Sequence, residues 1–267
     1  MMKKIIAFLA AAFAAFFPLQ AGNLVDKIAG EHKIISEDEW YGSHRIKFDF
    51  EGLTAWVVEP ECEAAQGLPW TWTMQWAEAF VPRTAVPELL SKGWHHVTLE
   101  AFDGRATDEF LPTFARFQDY LVNKLGFAPK ACLIGMSWGG FFSTRYASAY
   151  PDNVKAIYLD APLLNFEGTG VDIGPWKEEK KEDICWMDDP RMPVNMAQTI
   201  AEAGIPILLI YGDRDTVVNP VLNCKLFASR FKRAGGNINI IARGLWEHHP
   251  HGLDPGSTAE IQKLFGI

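Results

Sequence analysis

Short apolar runs alternate with helical patterns from Gly93 to the end of the chain. Runs typical of buried strands lie at residues 94–99, 130–134, 154–159, 205–211 and 237–242. Helical patterns follow them at residues 108–125, 139–150, 194–203, 220–234 and 257–265. Parallel strands need crossover connections, and crossover helices cover both faces of the sheet that they connect. We therefore predict an α/β fold with a mostly parallel sheet and helices on both faces.

The segment before Gly93 differs in character. Residues 45–50 alternate apolar and polar side chains, and residues 53–59 follow across a turn, which predicts an antiparallel N-terminal hairpin. Residues 68–76 form a third extended run, and residues 83–92 have a helical pattern. Residues 162–193 interrupt the alternation without a clear period. Since the sequence contains neither a linker nor a repeat, we predict a single domain over residues 22–267, with a lid-like insertion at about 162–193.

The first residues have the layout of a secretory signal peptide. Lys3 and Lys4 precede an apolar run at residues 5–17, and a proline and small residues follow. The run is shorter than the roughly 20 residues of a membrane-spanning helix, so a retained anchor is the weaker alternative. We predict cleavage after Ala21, with a signal peptide at residues 1–21 and a secreted or periplasmic product. We expect no membrane association after cleavage.

Charge and cysteine spacing exclude several classes of protein. The 25 Lys and Arg residues against 33 Asp and Glu residues leave a net charge of −8, which disfavours binding to a phosphate backbone, so we expect no nucleic-acid partner. The four cysteines have no CxxC spacing, which excludes a zinc-finger cluster; they are Cys62, Cys132, Cys185 and Cys224. Cys132 has the pattern of a buried small residue. Cys185 can pair with Cys224, either can pair with Cys62, or all four can remain free thiols. We expect no cofactor.

A possible nucleophile lies in the turn Gly135-Met136-Ser137-Trp138-Gly139-Gly140. The G-x-S-x-G pattern alone is weak, but here it directly follows an apolar strand and precedes a helix, which is the context that the motif requires. The glycines leave space for a tight turn that exposes the Ser137 hydroxyl. The first turn of the helix points N–H groups at the place where an oxyanion would form. The alternative is an ordinary glycine-rich turn.

A serine nucleophile needs a base, and the base needs an acid that orients it. Asp213 and Asp215 follow the apolar strand at residues 205–211, and we choose Asp215 because it lies three residues after Gly212. We expect Asp213 to be a turn residue. His248 is our choice of base, with His251 as the alternative. A rival interpretation is a metal site, for which the candidate ligands are His248, His249, His251 and Asp254.

Together these motifs resemble the α/β-hydrolase superfamily, and in particular secreted bacterial serine hydrolases of the prolyl-oligopeptidase-like or acyl-esterase-like type. The resemblance spans most of the mature chain; its other motifs are Pro69-Trp70-Thr71-Trp72, Leu89 to His95, Asp160-Ala161-Pro162, Gly212 to Val218 and His248 to Leu253. It implies Ser137 as nucleophile, Asp215 as acid, His248 as base and the Trp138 amide as one oxyanion donor. The His-Gly pair usual after the third strand is absent, and Thr73-Met74-Gln75-Trp76 stands there instead. We expect the second oxyanion donor to be a backbone amide near Thr73 or Met74, with Thr73 as the chosen position.

These observations favour a serine hydrolase acting on a carboxylic ester, with an acylated carbohydrate or another small molecule as the candidate substrate. Ten tryptophans include candidates for a sugar-stacking surface, among which we choose Trp72, Trp176 and Trp186 as substrate-binding residues. The alternative is that these side chains belong to the core. A prolyl-oligopeptidase-like peptidase and a non-catalytic binding protein on the same scaffold are the competing functions.

Overall fold

The computed structural model describes residues 24–180, 184–248 and 258–267. In this part of the chain nine strands form one sheet. They are β1 (Ile34–Trp40), β2 (Ser43–Phe50), β3 (Leu53–Val58), β4 (Trp70–Thr73), β5 (His95–Leu99), β6 (Ala131–Met136), β7 (Val154–Asp160), β8 (Ile207–Gly212) and β9 (Ile238–Arg243). The predicted signal peptide at residues 1–21 lies outside the described residues.

Eight α-helices accompany these strands in the described ranges. They are α1 (Leu24–Ala29), α2 (Val86–Leu90), α3 (Leu111–Tyr120), α4 (Trp138–Ala149), α5 (Trp176–Glu179), α6 (Ala197–Glu202), α7 (Leu226–Arg233) and α8 (Ala259–Phe265). Within the same ranges, no helix is both long and apolar enough to cross a membrane.

The sheet has the strand order β1-β2-β3-β5-β4-β6-β7-β8-β9. The first four strands in this order pair antiparallel, and the strands from β5 to β9 pair parallel. The chain therefore crosses over between β4 and β5, and β6 lies at the centre of the parallel part. The predicted α/β fold, with an antiparallel N-terminal part and a parallel remainder, is confirmed.

Hydrophobic side chains form one cluster on each face of the sheet. The larger cluster includes residues of α3, α4 and α7, together with Trp70 and Trp72 of β4. The smaller cluster includes residues of α2 and α8 and side chains from the opposite face of the central strands, such as Ile134 and Ile210. The edge strand β9 is only partly buried, but both faces of the central strands β6 and β8 are covered, and these two strands are buried along their whole length. This double burial explains why their sequences are continuous apolar runs.

Two elements differ from the sequence prediction. Strand β1 was not predicted, because five of its seven residues are exposed and its sequence IISEDEW lacks an apolar face. The predicted helix at residues 83–92 is reduced to α2, which follows a short 3₁₀ turn at Val81–Arg83. Proline at the start of both pieces separates them, since it cannot donate a hydrogen bond inside a longer helix.

The insertion at residues 162–193 packs against the helix that follows the nucleophile turn. Trp176 of α5 donates from Nε1 to the Arg105 carbonyl oxygen at 2.9 Å. Two guanidinium groups lie over its ring, that of Arg145 at 4.7 Å and that of Arg191 at 5.0 Å. Arg145 belongs to α4, so these contacts connect the insertion to the central helix of the fold.

Candidate active site

The turn between β6 and α4 holds Ser137 in a backbone conformation that few residues adopt. Its φ is 50° and its ψ is −117°, a region that costs of order 1–3 kcal/mol for a residue with a side chain. Hydrogen bonds hold the turn: Ser137 N donates to the Asp160 carbonyl oxygen at 3.0 Å, and Leu163 N donates to the Ser137 carbonyl oxygen at 2.8 Å. The end of the adjacent strand β7 therefore stabilises the strained turn.

Two glycines of the turn are required by close contacts. A Cβ atom on Gly135 would lie 2.7 Å from the carbonyl oxygen of Gly139, and a Cβ atom on Gly140 would lie 2.2 Å from Cβ of Pro162. A Cβ atom on Gly139 would meet nothing closer than 3.5 Å, which is ordinary contact. The expectation that the glycines leave space for the turn therefore holds for Gly135 and Gly140, and Gly139 has room for a methyl group.

Asp215 lies in the loop that follows β8, and its carboxylate is almost fully buried. Its Oδ1 accepts hydrogen bonds from the backbone N–H groups of Val217 at 2.9 Å and Val218 at 2.8 Å. Burial raises the pKa of Asp215, but the hydrogen bonds from His248 and from the two amides outweigh burial, so the pKa lies below its ordinary value. Asp215 is therefore an ionised group at neutral pH.

The other acid of this loop, Asp213, pairs with a lysine instead of a histidine. Asp213 forms an ion pair with Lys225 at 2.7 Å, and both side chains are partly exposed to solvent. Asp213 N donates to the Arg243 carbonyl oxygen at 3.0 Å, so the residue also connects the loop to β9. This arrangement is that of a turn residue.

His248 lies between Asp215 and Ser137. Its Nδ1 is 2.7 Å from Asp215 Oδ2, and its Nε2 is 3.0 Å from Ser137 Oγ. The structure thus brings the three predicted residues into one hydrogen-bonded chain, although they are separated by up to 111 positions in sequence. The alternative base His251, and also His249, lie outside the described residues.

The loop that carries His248 packs closely against the loop that carries Asp215. Arg214 N donates to the Trp246 carbonyl oxygen at 3.0 Å. A Cβ atom on Gly212 would lie 2.2 Å from that same oxygen and 2.7 Å from the Glu247 carbonyl oxygen. Only glycine fits at position 212, so this residue permits the approach that places His248 on Asp215.

Two backbone amides near the nucleophile are candidates for stabilising an oxyanion. Trp138 is the first residue of α4, and the first N–H groups of a helix have no acceptor within it. On the other side, Gln75 N would lie 3.5 Å from a Cβ atom on Gly139. Thr73 is opposite Ile134 in the sheet, and Met74 N donates to the Ile134 carbonyl oxygen at 3.1 Å. The Met74 amide is therefore used within the sheet, and the Gln75 backbone lies beside Gly139 of the nucleophile turn.

Solved structures of similar architecture come from proteins of different lengths. A candidate dipeptidyl aminopeptidase IV from Bacteroides ovatus has a TM-score of 0.63 and 15% identity, covering 87% of this chain and 36% of that chain. An S-formylglutathione hydrolase from Agrobacterium tumefaciens has a TM-score of 0.60 and 15% identity, covering 87% and 95%. Dipeptidyl peptidase 4 from Porphyromonas gingivalis has a TM-score of 0.60 and 14% identity, covering 88% and 34%.

Residues 88–184 match the family described as the alpha/beta hydrolase fold. This chain has the α/β-hydrolase fold. It spans only about a third of the length of the two dipeptidyl peptidases and nearly the whole length of the S-formylglutathione hydrolase. No curated protein sequence gives a significant match. The predicted resemblance to the α/β-hydrolase superfamily is confirmed.

Within this α/β-hydrolase fold, the three tryptophans predicted to bind substrate are core residues, so that prediction is wrong. Trp72 is fully buried, and its ring packs 5.3 Å from that of Phe117 and 5.4 Å from that of Tyr146. Trp176 is fully buried and Trp186 is 7% exposed. These side chains fill the space between helices and strands. Core packing therefore accounts for the large rings at these positions without a ligand.

All four cysteines of this chain lie in the described ranges and are free thiols. Cys62 and Cys185 are exposed, whereas Cys132 and Cys224 are buried. Burial raises the pKa of Cys132 to about 12, so its thiol stays protonated and is a poor nucleophile. The rival metal site depends on residues that the structure does not describe, and within the described residues no three His, Cys, Asp or Glu side chains are grouped to hold a metal ion.

Proposed function

We propose that the protein is an exported serine hydrolase that cleaves carboxylic esters through an acyl-enzyme intermediate. The observation that carries the proposal is the hydrogen-bonded chain from Asp215 through His248 to Ser137, with separations of 2.7 and 3.0 Å. Both distances lie within the range for proton transfer between a nucleophile, its base and the group that orients the base. Export rests on the signal-peptide pattern at residues 1–21.

In the first half of the reaction, the Ser137 oxygen attacks the ester carbonyl carbon and His248 Nε2 takes the hydroxyl proton. Asp215 accepts the Nδ1–H hydrogen bond, which fixes the required tautomer and stabilises the imidazolium that forms. The amides of Trp138 and Gln75 donate to the developing oxyanion. His248 then returns the proton to the leaving alcohol oxygen, and the acyl group remains on Ser137.

In the second half, a water molecule attacks the acyl carbon. His248 takes a proton from this water and then gives it to the Ser137 oxygen, which restores the free enzyme and releases the acid. Every proton is thus passed by one imidazole, and the mechanism uses only protein groups and water.

Ester hydrolysis is the first candidate because of the similarity to an S-formylglutathione hydrolase, of which 95% is covered. The chain is also similar to two dipeptidyl peptidases, of which about a third is covered. Peptidase activity is the second candidate because of that similarity. A non-catalytic binding protein on the same scaffold would have no need for the strained Ser137 turn.

A fluorophosphonate probe tests the proposal, because it labels a serine only when the serine is activated. We expect labelling at Ser137, located by mass spectrometry of the digested protein. Ser137→Ala should abolish labelling and lower turnover of 4-nitrophenyl acetate by about a thousandfold or more while the protein stays folded. Activity should survive a chelator. Absence of labelling in the folded wild-type protein would instead favour the binding-protein alternative, and faster turnover of aminoacyl 4-nitroanilides would favour the peptidase.

A further inference from the structure

A cavity of about 510 Å³ lies past the ends of β4 and β5. We call it the aromatic cleft, and its walls include Trp56, Gln75, Trp76, Glu78, Glu100 and Phe102. A second cavity of about 220 Å³ shares Gln75, Glu100 and Phe102 with it. Together the two spaces fall in the usual range for small-molecule sites, about 300–1,000 Å³.

The aromatic cleft adjoins the proposed catalytic groups. Gln75, whose backbone amide lies next to Gly139, contributes its side chain to the walls of both cavities. On the other side, the Phe102 ring packs edge-on against the Trp138 ring, with centroids 5.8 Å apart. Trp138 directly follows the nucleophile. Through these contacts the cleft borders Trp138 and Gly139, which follow Ser137 in the nucleophile turn.

Trp76 is the most exposed tryptophan of the chain. All ten tryptophans lie in the described ranges, and Trp76 alone is classed as exposed, at 43%. Its ring is held 4.8 Å from that of Phe102, and its φ of 64° is unusual for a residue with a large side chain. An indole ring that is partly exposed at the wall of a cleft, and held in place by a second ring, offers a flat apolar surface on which a ligand can pack.

The polar groups of the cleft include both a donor and an acceptor that remain available. The Gln75 side chain is 5% exposed, and its buried Nε2 has no hydrogen-bond partner in the structure. Glu100 uses one carboxylate oxygen to accept from Trp56 Nε1 at 2.8 Å, which leaves the second oxygen as an acceptor. A buried amide without a partner is destabilising, so a ligand that accepts a hydrogen bond from it gains affinity.

Charges of both signs lie around the cleft, and Glu78 of its wall is already paired with Arg45 at 2.6 Å. The Arg45 guanidinium lies 4.6 Å and the Lys47 ammonium 4.9 Å from the Trp56 ring. The Arg105 guanidinium lies 3.5 Å from the Phe102 ring. A cationic ligand would meet these like charges and would offer no acceptor to the Gln75 amide. A purely alkyl group would form no hydrogen bond with either Gln75 or Glu100.

We infer that the aromatic cleft holds a neutral, hydroxylated ring, that is, a sugar unit of the ester substrate, stacked on Trp76. A hydroxyl group both accepts from the Gln75 amide and donates to the Glu100 carboxylate. A cationic group can only donate, and an alkyl group can do neither. The ring's C–H face packs on the indole as apolar surface. This inference rests on the proposed ester hydrolase function and moves the sugar-stacking surface from the three core tryptophans to Trp76.

The first test measures binding without chemistry. Ser137→Ala protein is mixed with xylobiose or with benzyltrimethylammonium, and binding is followed by saturation-transfer NMR of the ligand protons. We expect xylobiose to bind, and Trp76→Ala or Glu100→Gln in the same background to weaken binding at least about fivefold. Tyr41→Ala is the matched control, because Tyr41 is an aromatic residue of similar exposure, 46%, outside the cleft walls.

The second test uses wild-type protein and the single variants in a competition between two acetates, acetylated xylobiose and 4-nitrophenyl acetate. Trp76→Ala should reduce the ratio of kcat/KM values, sugar ester over phenyl ester, about tenfold, whereas Tyr41→Ala should leave it unchanged. Preference for benzyltrimethylammonium, absence of xylobiose binding, or an unchanged ratio in Trp76→Ala would each overturn the inference. If xylobiose binds at Trp76 but Ser137 is not labelled by a fluorophosphonate, the subsite stands and the proposed hydrolase function fails.

Discussion

Replacing Asp215 by asparagine tests the proposed mechanism most directly, because the two side chains have the same shape. In the structure, Asp215 Oδ1 accepts from the amides of Val217 and Val218, and Oδ2 accepts from His248 Nδ1. An asparagine must direct its single oxygen to the two amides, since its NH₂ group cannot accept. The NH₂ group then faces His248 Nδ1 and donates to it.

This reversal puts the proton of the imidazole on Nε2, the atom that faces the Ser137 oxygen at 3.0 Å. In that tautomer His248 cannot take the hydroxyl proton. A tautomer change of this kind lowers turnover by roughly 10⁴-fold, which corresponds to about 5 kcal/mol in the activation free energy. The fold should be little affected, because the two backbone hydrogen bonds are kept.

The matched control is Asp213→Asn in the same loop. It removes only the partly exposed ion pair with Lys225, and such pairs contribute little to stability because solvent screens them. We therefore expect less than about a tenfold change in turnover. The assay is hydrolysis of 4-nitrophenyl acetate and the rate of fluorophosphonate labelling, with circular dichroism to establish folding. A folded Asp215→Asn variant with more than a tenth of wild-type turnover would refute the mechanism, as would greater damage from Asp213→Asn.

Three further predictions follow from local packing and burial. Gly140→Ala should destabilise the protein by about 1–3 kcal/mol or more in urea unfolding, because its Cβ would lie 2.2 Å from Pro162, whereas Gly139→Ala should be tolerated. Trp176→Ala should lower the free energy of unfolding by about 3–5 kcal/mol, as expected for a buried ring, and a specific rise in KM with unchanged stability would contradict this. Burial lowers the pKa of His96 to about 3, so the folded state keeps this histidine neutral while the unfolded chain takes up a proton below its usual pKa of about 6.5. Stability should therefore fall as the pH is lowered from 7 to 5, by about 2 kcal/mol from this residue at pH 5, and urea unfolding of His96→Gln should show a smaller loss.

The features that depend only on residues close together in the sequence could be predicted from the sequence. The apolar runs of the parallel strands, such as β6 and β8, are predictable because burial on both faces leaves no polar positions. The nucleophile was recognisable because a strained strand–helix turn needs glycine in particular places around Ser137. The order Ser137, Asp215, His248 was predictable because each of these residues lies in a loop that follows a predicted strand. Strand β1 was missed because its exposed sequence has no apolar face.

Contacts between distant segments were decided by the tertiary structure. Trp72 and Trp76 are four residues apart and equally aromatic, yet one is fully buried and the other 43% exposed. The difference arises because Trp72 lies within β4 and packs against α3 and α4, whereas Trp76 lies beyond the end of that strand. The position of the Gln75 amide beside Gly139 depends in the same way on how β4 pairs with β6. A sequence determines which side chains favour burial, but the neighbour that each one meets depends on chain segments far away, and only the packed fold brings those segments together.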